Sequence, residues 1–361
     1  MSTPHVARVG PTGVGPPKSR AISRTLNVTS PGDFAQVLER AINSGADTIV
    51  LAGGTYRRRP RIPLRFVNAS RNIKIVGSSK KGYDSATVIE GNIDFSGMEN
   101  VVLESITISA FSNSEQPPII SDGTADLNVS IIDSTLIAGK GPALEIFDRM
   151  TVSLSKGVVI AGPLGGDYAP LVVSARVSEP LHRAALKATG WVTVDGTDAN
   201  YNAIVIHGGV GEIYSQGASW DIKGTILLLG KHTPVADKPG LFDFGNVSVY
   251  AGRSGDLQKE VIRYARDPVT EDDPSLSTLN FSKLTVSIHS NCDDLEIIKV
   301  DDIDFAEGAA LDEQYSINIR IGSLVENTSH PDAVSYGKFS NQLWTMRGET
   351  IKDGVKNRVD A

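Results

Sequence analysis

The chain reads NIKIVG at residues 72–77, TVIEGNIDF at 87–95, NVVLESITIS at 100–109, NVSIIDSTLIAG at 128–139 and TVSLSKGVVIAG at 151–162. In each run aliphatic side chains alternate with polar ones, and glycine, asparagine, aspartate or serine residues follow the alternating stretch. Alternation of apolar and polar residues with a period of two, ended by turn-forming residues, predicts a short β-strand. Runs of the same kind continue as far as SINIRIGS at 316–323. The same short unit is therefore repeated along most of the chain.

The spacing of these runs predicts how the strands are arranged. Coils recur roughly every 20 to 30 residues, which is the repeat length of a solenoid built from one supersecondary unit per coil. A β-sandwich would need hairpin turns, and the Asn-Gly dipeptide typical of such turns is absent from the sequence. A doubly wound α/β fold would need a helix after each strand. Beyond residue 46, only SEPLHRAALKAT at 178–189 and the stretch 257–264 are candidate helices.

The fold class predicted from this pattern is all-β, namely a right-handed, single-stranded parallel β-helix over residues 48–328. Before it, residues 24–47 are expected to form a capping strand and helix. Ser30 and Pro31 suit the N-cap and first helical positions, one helical face is apolar, and Gly45 suits the end. Residues 1–23 are rich in Gly and Pro and are interpreted as an extended arm, and residues 329–361 as a C-terminal tail.

The order of this helix, GADTIVLAGGTY at 45–56, NIKIVG, TVIEG and NVVLESITI resembles the opening of the pectate-lyase-like β-helix superfamily. The resemblance implies the solenoid fold. The superfamily includes polysaccharide lyases, glycoside hydrolases, carbohydrate esterases, epimerases, autotransporter passengers and bacteriophage tailspikes. The resemblance therefore implies no single activity, because one fold carries many functions.

A glycan site is the first candidate for function. Hydrolysis of a glycan needs two carboxyl groups across the sugar ring, and a lyase needs a base near a uronate. The catalytic candidates on successive coils are Asp195, Asp198, His207 and Asp221, with Glu212 nearby. Trp191 and Trp220 open similar runs and are expected to form a stacking platform for sugar rings. The alternative is that the acids are solvated turn residues, His207 is a structural side chain and the tryptophans belong to the core.

Charge is distributed unevenly along the chain. No acidic residue lies between Thr48 and Tyr83, whereas acidic residues dominate residues 267–313. Since sequence order is axial order in a solenoid, the first coils are predicted to form a basic collar and the last coils an acidic end. Such a field orients association with a partner. The residues expected to make assembly contacts are Arg57, Arg58, Arg59, Arg61, Lys80 and Lys81.

Several classes of function are disfavoured. The net charge of −7 argues against nucleic-acid binding, and the single cysteine, Cys292, excludes an intramolecular disulfide or a cysteine-based zinc site. No apolar run reaches the length of a membrane span, so membrane insertion is not expected. The motifs of serine hydrolases, zincins and dinucleotide-binding proteins are missing, and no cofactor or metal is expected.

The function expected from these patterns is that of a bacteriophage virion structural protein of the tailspike, knob or head-appendage kind. Its expected partners are neighbouring virion subunits or further copies of itself, and a host cell-surface polysaccharide. The N-terminus has no export signal, so synthesis in the host cytoplasm and residence in the virion are expected. One alternative is a polysaccharide lyase or glycoside hydrolase that acts on an acidic or capsular glycan. A second is a purely architectural assembly protein without a ligand.

Overall fold

The computed structural model describes residues 24–57, 64–65, 72–78, 86–147, 149–162, 168–174, 184–196, 202–207, 211–215, 217–230, 240–251, 260–266, 277–288, 295–300, 317–321, 324–328, 334–335, 343–346 and 349–352. In chain order the elements are β1 Thr25–Val28, α1 Phe34–Ser44, β2 Thr48–Leu51, β3 Gly54–Arg57, β4 Leu64–Arg65, β5 Asn72–Val76, β6 Thr87–Glu90, β7 Ile93–Asp94, β8 Asn100–Glu104, β9 Thr107–Ser109, β10 Ile119–Ile120, β11 Leu127–Ile132, β12 Thr135–Ile137, β13 Leu144–Phe147, β14 Met150–Ser155, β15 Gly157–Ala161, β16 Leu171–Ser174, β17 Ala184–Ala188, β18 Trp191–Asp195, β19 Asn202–His207, β20 Gly211–Ser215, β21 Ser219–Lys223, β22 Thr225–Gly230, β23 Gly240–Ala251, β24 Glu260–Arg266, β25 Ser277–Ile288, β26 Leu295–Val300, β27 Ile317–Ile321, β28 Leu324–Thr328, β29 Val334–Ser335, β30 Leu343–Met346 and β31 Glu349–Lys352.

The strands stack in three columns, and each coil of the chain passes through the columns in turn. Column 1 contains β1, β2, β5, β8, β11, β14, β17, β20, β27 and β30. Column 2 contains β3, β6, β9, β12, β15, β18, β21 and β28. Column 3 contains β4, β7 and β10, then β13, β16, β19, β22, β24, β26 and β29. The long strands β23 and β25 pass through columns 1 and 2 and join them into one sheet.

Pairing between coils is parallel throughout these columns, which confirms the predicted parallel β-helix. The antiparallel pair among the described strands is β30 with β31, near the end of the chain. Parallel pairing continues past residue 328, since β29 pairs with β26 and β30 with β27. The solenoid therefore extends into the segment that was interpreted as a tail.

Aliphatic side chains from successive coils fill the interior. Ile73, Val101 and Val129 occupy one register position on neighbouring strands, and each is at most 4% exposed. Ile75 and Leu103, two residues further along their strands, are fully buried. Each such side chain contributes about 1.5 to 3 kcal/mol by its removal from water. The predicted alternation of inward and outward residues is confirmed.

Helix α1 follows β1 and precedes β2 in sequence, and it packs an apolar face onto the core, as predicted. Its N-cap is Asp33 rather than Ser30, because residues 30–32 remain outside the helix and Asp33 forms a bridge with Arg57. The Ala35 N–H donates to Asp33 Oδ1 at 2.8 Å. Gly45 ends the helix in the left-handed region at φ 65°. Phe34 meets Tyr56 edge to face, with ring centroids 6.4 Å apart.

In successive coils, the corner between columns 1 and 2 contains one residue whose backbone has a positive φ, in the left-handed region. These residues are Ser105, Asp133, Lys156, Gly190 and Gly217. The corner continues the ladder between coils, since the Ser105 N–H donates to the Ile132 carbonyl at 2.9 Å. At Gly190, φ is +82° and a Cβ would lie 2.9 Å from the Lys156 carbonyl oxygen. Glycine is required there for both reasons.

Two stretches expected to be helical contain strands. Ala184–Ala188 is β17, with Ala184, Leu186 and Ala188 pointing inward, and Glu260–Arg266 is β24. Alanine and leucine favour helices locally, but the neighbouring coils supply hydrogen-bond partners on both sides of these segments. Pairing within the solenoid therefore decides the conformation.

Candidate functional site

The outward surface of column 2 brings together Trp191, Asp195 and Asp221, three of the six described residues predicted for a glycan site. Strands β18, β21 and β23 lie side by side, and every second residue points outward. We call this surface the column 2 face. Its outward rows are Trp191, Ser219 and Asn246; Thr193, Asp221 and Ser248; and Asp195, Lys223 and Tyr250. Strand spacing makes the grid roughly 10 Å by 13 Å, comparable with a short oligosaccharide.

Trp191 is the most exposed large hydrophobic side chain on this face, at 52%. Its register neighbours are Gly157 on β15 and Ser219 on β21. Both neighbours are small, so the indole is not flanked by a bulky side chain along its row. A ring in this position is suited to stacking on a flat apolar ligand surface.

The predicted two-tryptophan platform is wrong, because Trp220 is only 1% exposed. Trp191 pairs with Ser219, and Trp220 pairs with the inward residue Val192. This shift of one residue places Trp220 on the opposite side of the strand. Its indole N–H donates to Ser215 Oγ at 2.9 Å, and its ring meets Phe244 edge to face at 5.2 Å. Trp220 is a core residue.

Asp195 is held in an ion pair. Lys223 Nζ donates to Asp195 Oδ2 at 2.5 Å, and the side chains are 29% and 31% exposed, respectively. The two residues occupy the same register position on β18 and β21. Asp195 therefore accepts a charge-assisted hydrogen bond rather than serving as an isolated base.

Asp221 has a different environment. Burial raises the pKa of its carboxyl above the usual value, and the positive charge of Lys223 acts in the opposite direction. Asp221 pairs with Thr193, two residues from the register position of Asp195. Asp195 and Asp221 are thus diagonal neighbours on one surface. Asp221 takes up a proton more readily than an exposed aspartate and can then donate a hydrogen bond.

The remaining catalytic candidates do not join this surface. His207 lies on β19 in column 3 and Glu212 on β20 in column 1, so their strands belong to different sides of the solenoid. Asp198 lies outside the described residues. The predicted cluster of Asp195, Asp198, His207 and Asp221 is therefore reduced to Asp195 and Asp221. The prediction assigned these residues to successive coils, where stacking would bring them together on one face. Asp195 and His207 instead lie on β18 and β19 of one coil, which belong to different columns.

The basic collar is partly neutralised by the following coils. Arg57 Nε pairs with Glu90 Oε2 at 2.9 Å, and Lys74 Nζ pairs with Glu104 Oε2 at 2.8 Å. The hydrogen bond from Lys74 lowers the pKa of Glu104. The other predicted assembly residues, namely Arg58, Arg59, Arg61, Lys80 and Lys81, lie outside the described residues.

Tyr214 is an exposed aromatic residue that the sequence analysis did not single out. It is 49% exposed on column 1 and lies next to Lys187 in register. The signal was present in GEIYS at 211–215, where the period of two places Ile213 inward and Tyr214 outward. Tyr168, before β16, is a further exposed aromatic at 47%.

Within the described part of the chain, no cluster of three or more His, Cys, Asp or Glu side chains is arranged to hold a metal ion. None of the described helices has the length and apolar character needed to cross a membrane. No protein family, curated protein or solved structure matches the chain. The parallel β-helix is shown by the structure, whereas the likeness to the pectate-lyase-like superfamily is an interpretation of the repeat pattern.

Proposed function

We propose that the protein is a virion structural protein of the tailspike, knob or head-appendage kind that binds glycan on the column 2 face without cleaving it. The observation that carries the glycan-binding part is the half-exposed indole of Trp191 above a grid of hydrogen-bonding side chains. Sugar rings present apolar faces and hydroxyl edges, and this surface offers a partner for each.

The charges on this face favour a neutral glycan. Two carboxyl groups, Asp195 and Asp221, stand beside one ammonium group, Lys223. The ion pair with Asp195 already uses the positive charge that a polyanionic chain would need. Hydroxyl groups can donate to the Asp195 carboxylate and exchange hydrogen bonds with Thr193 and Ser248. We therefore expect neutral oligosaccharides to bind better than uronate-rich ones.

Replacement of Trp191 tests the glycan site directly. Trp191→Ala should weaken glycan binding at least tenfold, because aromatic stacking is lost without a change in the core. Binding would be measured on a glycan array and then by calorimetry with the best ligand. Tyr214→Ala, which removes an equally exposed ring from column 1, is the matched control and should bind like wild type. Absence of binding by the wild-type protein would favour the purely architectural alternative.

The virion part of the proposal rests on the resemblance to β-helix tailspikes and on the rod-like stacking of coils, which suits a rigid appendage. It is tested by deleting residues 1–20 and measuring incorporation into particles. We expect incorporation to be lost while the thermal unfolding of the β-helix is unchanged. Incorporation of wild-type protein should weaken as salt rises, because charged contacts are screened. Normal incorporation of the truncated protein would contradict an anchoring role for the arm.

The second candidate function is that of a glycan-cleaving enzyme. The observation that favours it is the raised pKa of Asp221. A general acid needs a carboxyl group that remains protonated near the working pH of the enzyme. The ion pair of Asp195 with Lys223 argues against a free partner base. Incubation of the bound glycan with wild-type protein and with Asp221→Asn separates the two functions. We expect no new reducing or unsaturated ends with either protein. Cleavage by the wild type that is lost in the variant would establish an enzyme.

A further inference from the structure

An open position lies beside the column 2 face, next to Trp191. Gly157 on β15 is the register neighbour of Trp191 on β18, and it is exposed. Among the described residues other than its chain neighbours, a Cβ built on Gly157 would meet one atom within 4 Å, Asp133 Oδ1 at 3.8 Å. The surface between Asp133 and Trp191 therefore has no side chain at its centre. We call it the Gly157 gap, with Asp133 and Trp191 as its walls.

Backbone hydrogen bonds hold both walls of the Gly157 gap. The Trp191 N–H donates to the Lys156 carbonyl at 2.6 Å, and the Asp133 N–H donates to the Ser155 carbonyl at 3.1 Å. Ser155 and Lys156 directly precede Gly157, so both walls are anchored to the coil that carries the gap. The main-chain separation of the walls is therefore fixed, and a rigid ring can bind between them with a small loss of conformational freedom.

The two walls offer different chemistry. The Trp191 side chain is 52% exposed, and an indole stacks on a flat apolar surface. Asp133 is exposed, and its Oδ1 is the atom nearest to the gap. Its Oδ2 lies 3.4 Å from the Ser105 hydroxyl, which is longer than an ordinary O–H···O bond. Because a carboxylate accepts several hydrogen bonds, a ligand that fits the gap needs an apolar face and adjacent donors.

The size and charge of the gap narrow the class of ligand. Asp133 and Trp191 lie on the coils on either side of Gly157, so two strand spacings, roughly 10 Å, separate their main chains. One pyranose ring fits this width, and it presents an apolar face of C–H bonds and hydroxyl groups on adjacent carbons. A uronate would place its own carboxylate next to Asp133, which is unfavourable. A neutral hexopyranose meets both requirements.

We propose that the Gly157 gap is a subsite that binds one neutral hexopyranose residue, with its ring stacked on Trp191 and two adjacent hydroxyl groups donating to Asp133. The inference rests on the proposed glycan binding and extends it, because the grid of β18, β21 and β23 lies on the other side of Trp191. A glycan that occupies both parts runs along the solenoid axis from β15 to β23, over three strand spacings or roughly 14 Å. Trp191 then lies between the two parts of one binding surface.

Filling the gap tests the subsite. The backbone of Gly157 lies outside the left-handed region and a Cβ has room there, so Gly157→Val should unfold thermally at or above the wild-type temperature. Its binding to neutral gluco-, galacto- and manno-oligosaccharides, measured on an array and by calorimetry, should weaken at least tenfold, because valine occupies the place of the ring. Gly32→Val, at an exposed glycine with the same freedom, is the matched control and should bind like wild type.

Three outcomes separate this subsite from the proposed function. Wild-type affinity in Gly157→Val overturns the subsite. If Trp191→Ala still loses binding in that case, the proposed glycan binding on the column 2 face stands without the subsite. Absence of binding by the wild-type protein to all of these oligosaccharides overturns both.

Asp133→Asn tests the hydroxyl contacts and leaves the corner intact, since asparagine accepts the positive φ of 47° at this residue. For the oligosaccharide that binds best among these probes, the affinity should fall at least fivefold, because a neutral amide replaces a charged acceptor. Asp126→Asn, which removes an exposed carboxylate before β11, is the control and should bind normally. Monodeoxy analogues that lack a contacting hydroxyl should show a smaller difference between wild type and Asp133→Asn. A difference of the same size for every analogue, or none for the parent oligosaccharide, overturns the role of Asp133.

Discussion

Trp191 and Trp220 lie on adjacent strands of column 2, yet one indole faces solvent and the other is packed in the core. Trp191→Ala should change the free energy of unfolding by no more than about 0.5 kcal/mol, as for other exposed positions. Trp220→Ala should lower it by about 3 to 5 kcal/mol, because it leaves a cavity beside Phe244 and an unpaired Ser215 hydroxyl. Denaturant unfolding of both variants measures the difference. Equal losses would contradict the observed register.

Asp221 should make stability depend on pH. Its pKa is raised in the folded state above the ordinary value of 3.8. The charged form is therefore disfavoured on folding, and the cost appears as pH rises above the ordinary carboxyl pKa and is complete above the raised one. Asp221→Asn removes this cost. It should be more stable than wild type at neutral pH, and the advantage should disappear towards pH 3.

Urea unfolding at several pH values measures this dependence. Asp126→Asn is the control, since it removes an exposed carboxylate just before β11. An advantage of Asp221→Asn that is the same at pH 3 and pH 7 would contradict the burial of Asp221. The comparison also bears on the glycan site, because the protonation of Asp221 decides whether this residue donates or accepts a hydrogen bond.

At the scale of single elements, three glycines separate the effects of backbone conformation and of crowding. Gly32 has open space around a Cβ, Gly97 has open space but φ +83°, and Gly190 has φ +82° with the Lys156 carbonyl 2.9 Å away. Replacement by alanine should therefore cost little at Gly32 and about 1 to 3 kcal/mol at Gly97, with the largest loss at Gly190. Thermal unfolding of the three variants measures the order. If the Gly97 variant is as unstable as the Gly190 variant, the close Lys156 carbonyl oxygen adds nothing to the cost of replacing Gly190.

The elements themselves were largely predictable because the chain repeats one local rule. A period of two identifies strands such as β8 and β11 without knowledge of their partners. The strand at Ala184–Ala188 was not predictable in this way, since its alanines and leucine favour a helix when no neighbour is considered. The ladder bonds to β14 and β20 decide its conformation.

The candidate site was only partly predictable, because it depends on register between coils. The period of two within each strand already separates the two tryptophans, because Trp191 is out of step with the inward Val192 and Val194, whereas Trp220 is in step with the inward Ile222. The expectation of a shared platform compared the two runs by their tryptophans and did not apply this alternation. The assignment of His207 to column 3, by contrast, depends on where each coil turns.

For the whole molecule, α1 determines whether the first coil is closed. Leu38 is 2% exposed on the buried face of this helix, and Glu39 points to solvent. Leu38→Asp should displace the helix, expose the aliphatic interior and the edge of β1, and cause aggregation, because an open strand edge pairs with other chains. Light scattering during concentration measures this effect. Glu39→Ala is the control and should not aggregate. A Leu38→Asp variant that also does not aggregate would show that α1 is not needed to cover the first coil.

The direction of the parallel ladders has a mechanical consequence. The hydrogen bonds that join one coil to the next run along the solenoid axis, as between Asn72, Asn100 and Asn128. A force that pulls the two ends apart would load these bonds in series, so that coils peel away one at a time at modest force. Compression along the axis instead presses stacked side chains together and meets the stiffness of a close-packed interior. The solenoid is thus built to transmit a push from one end to the other much better than it resists being unwound.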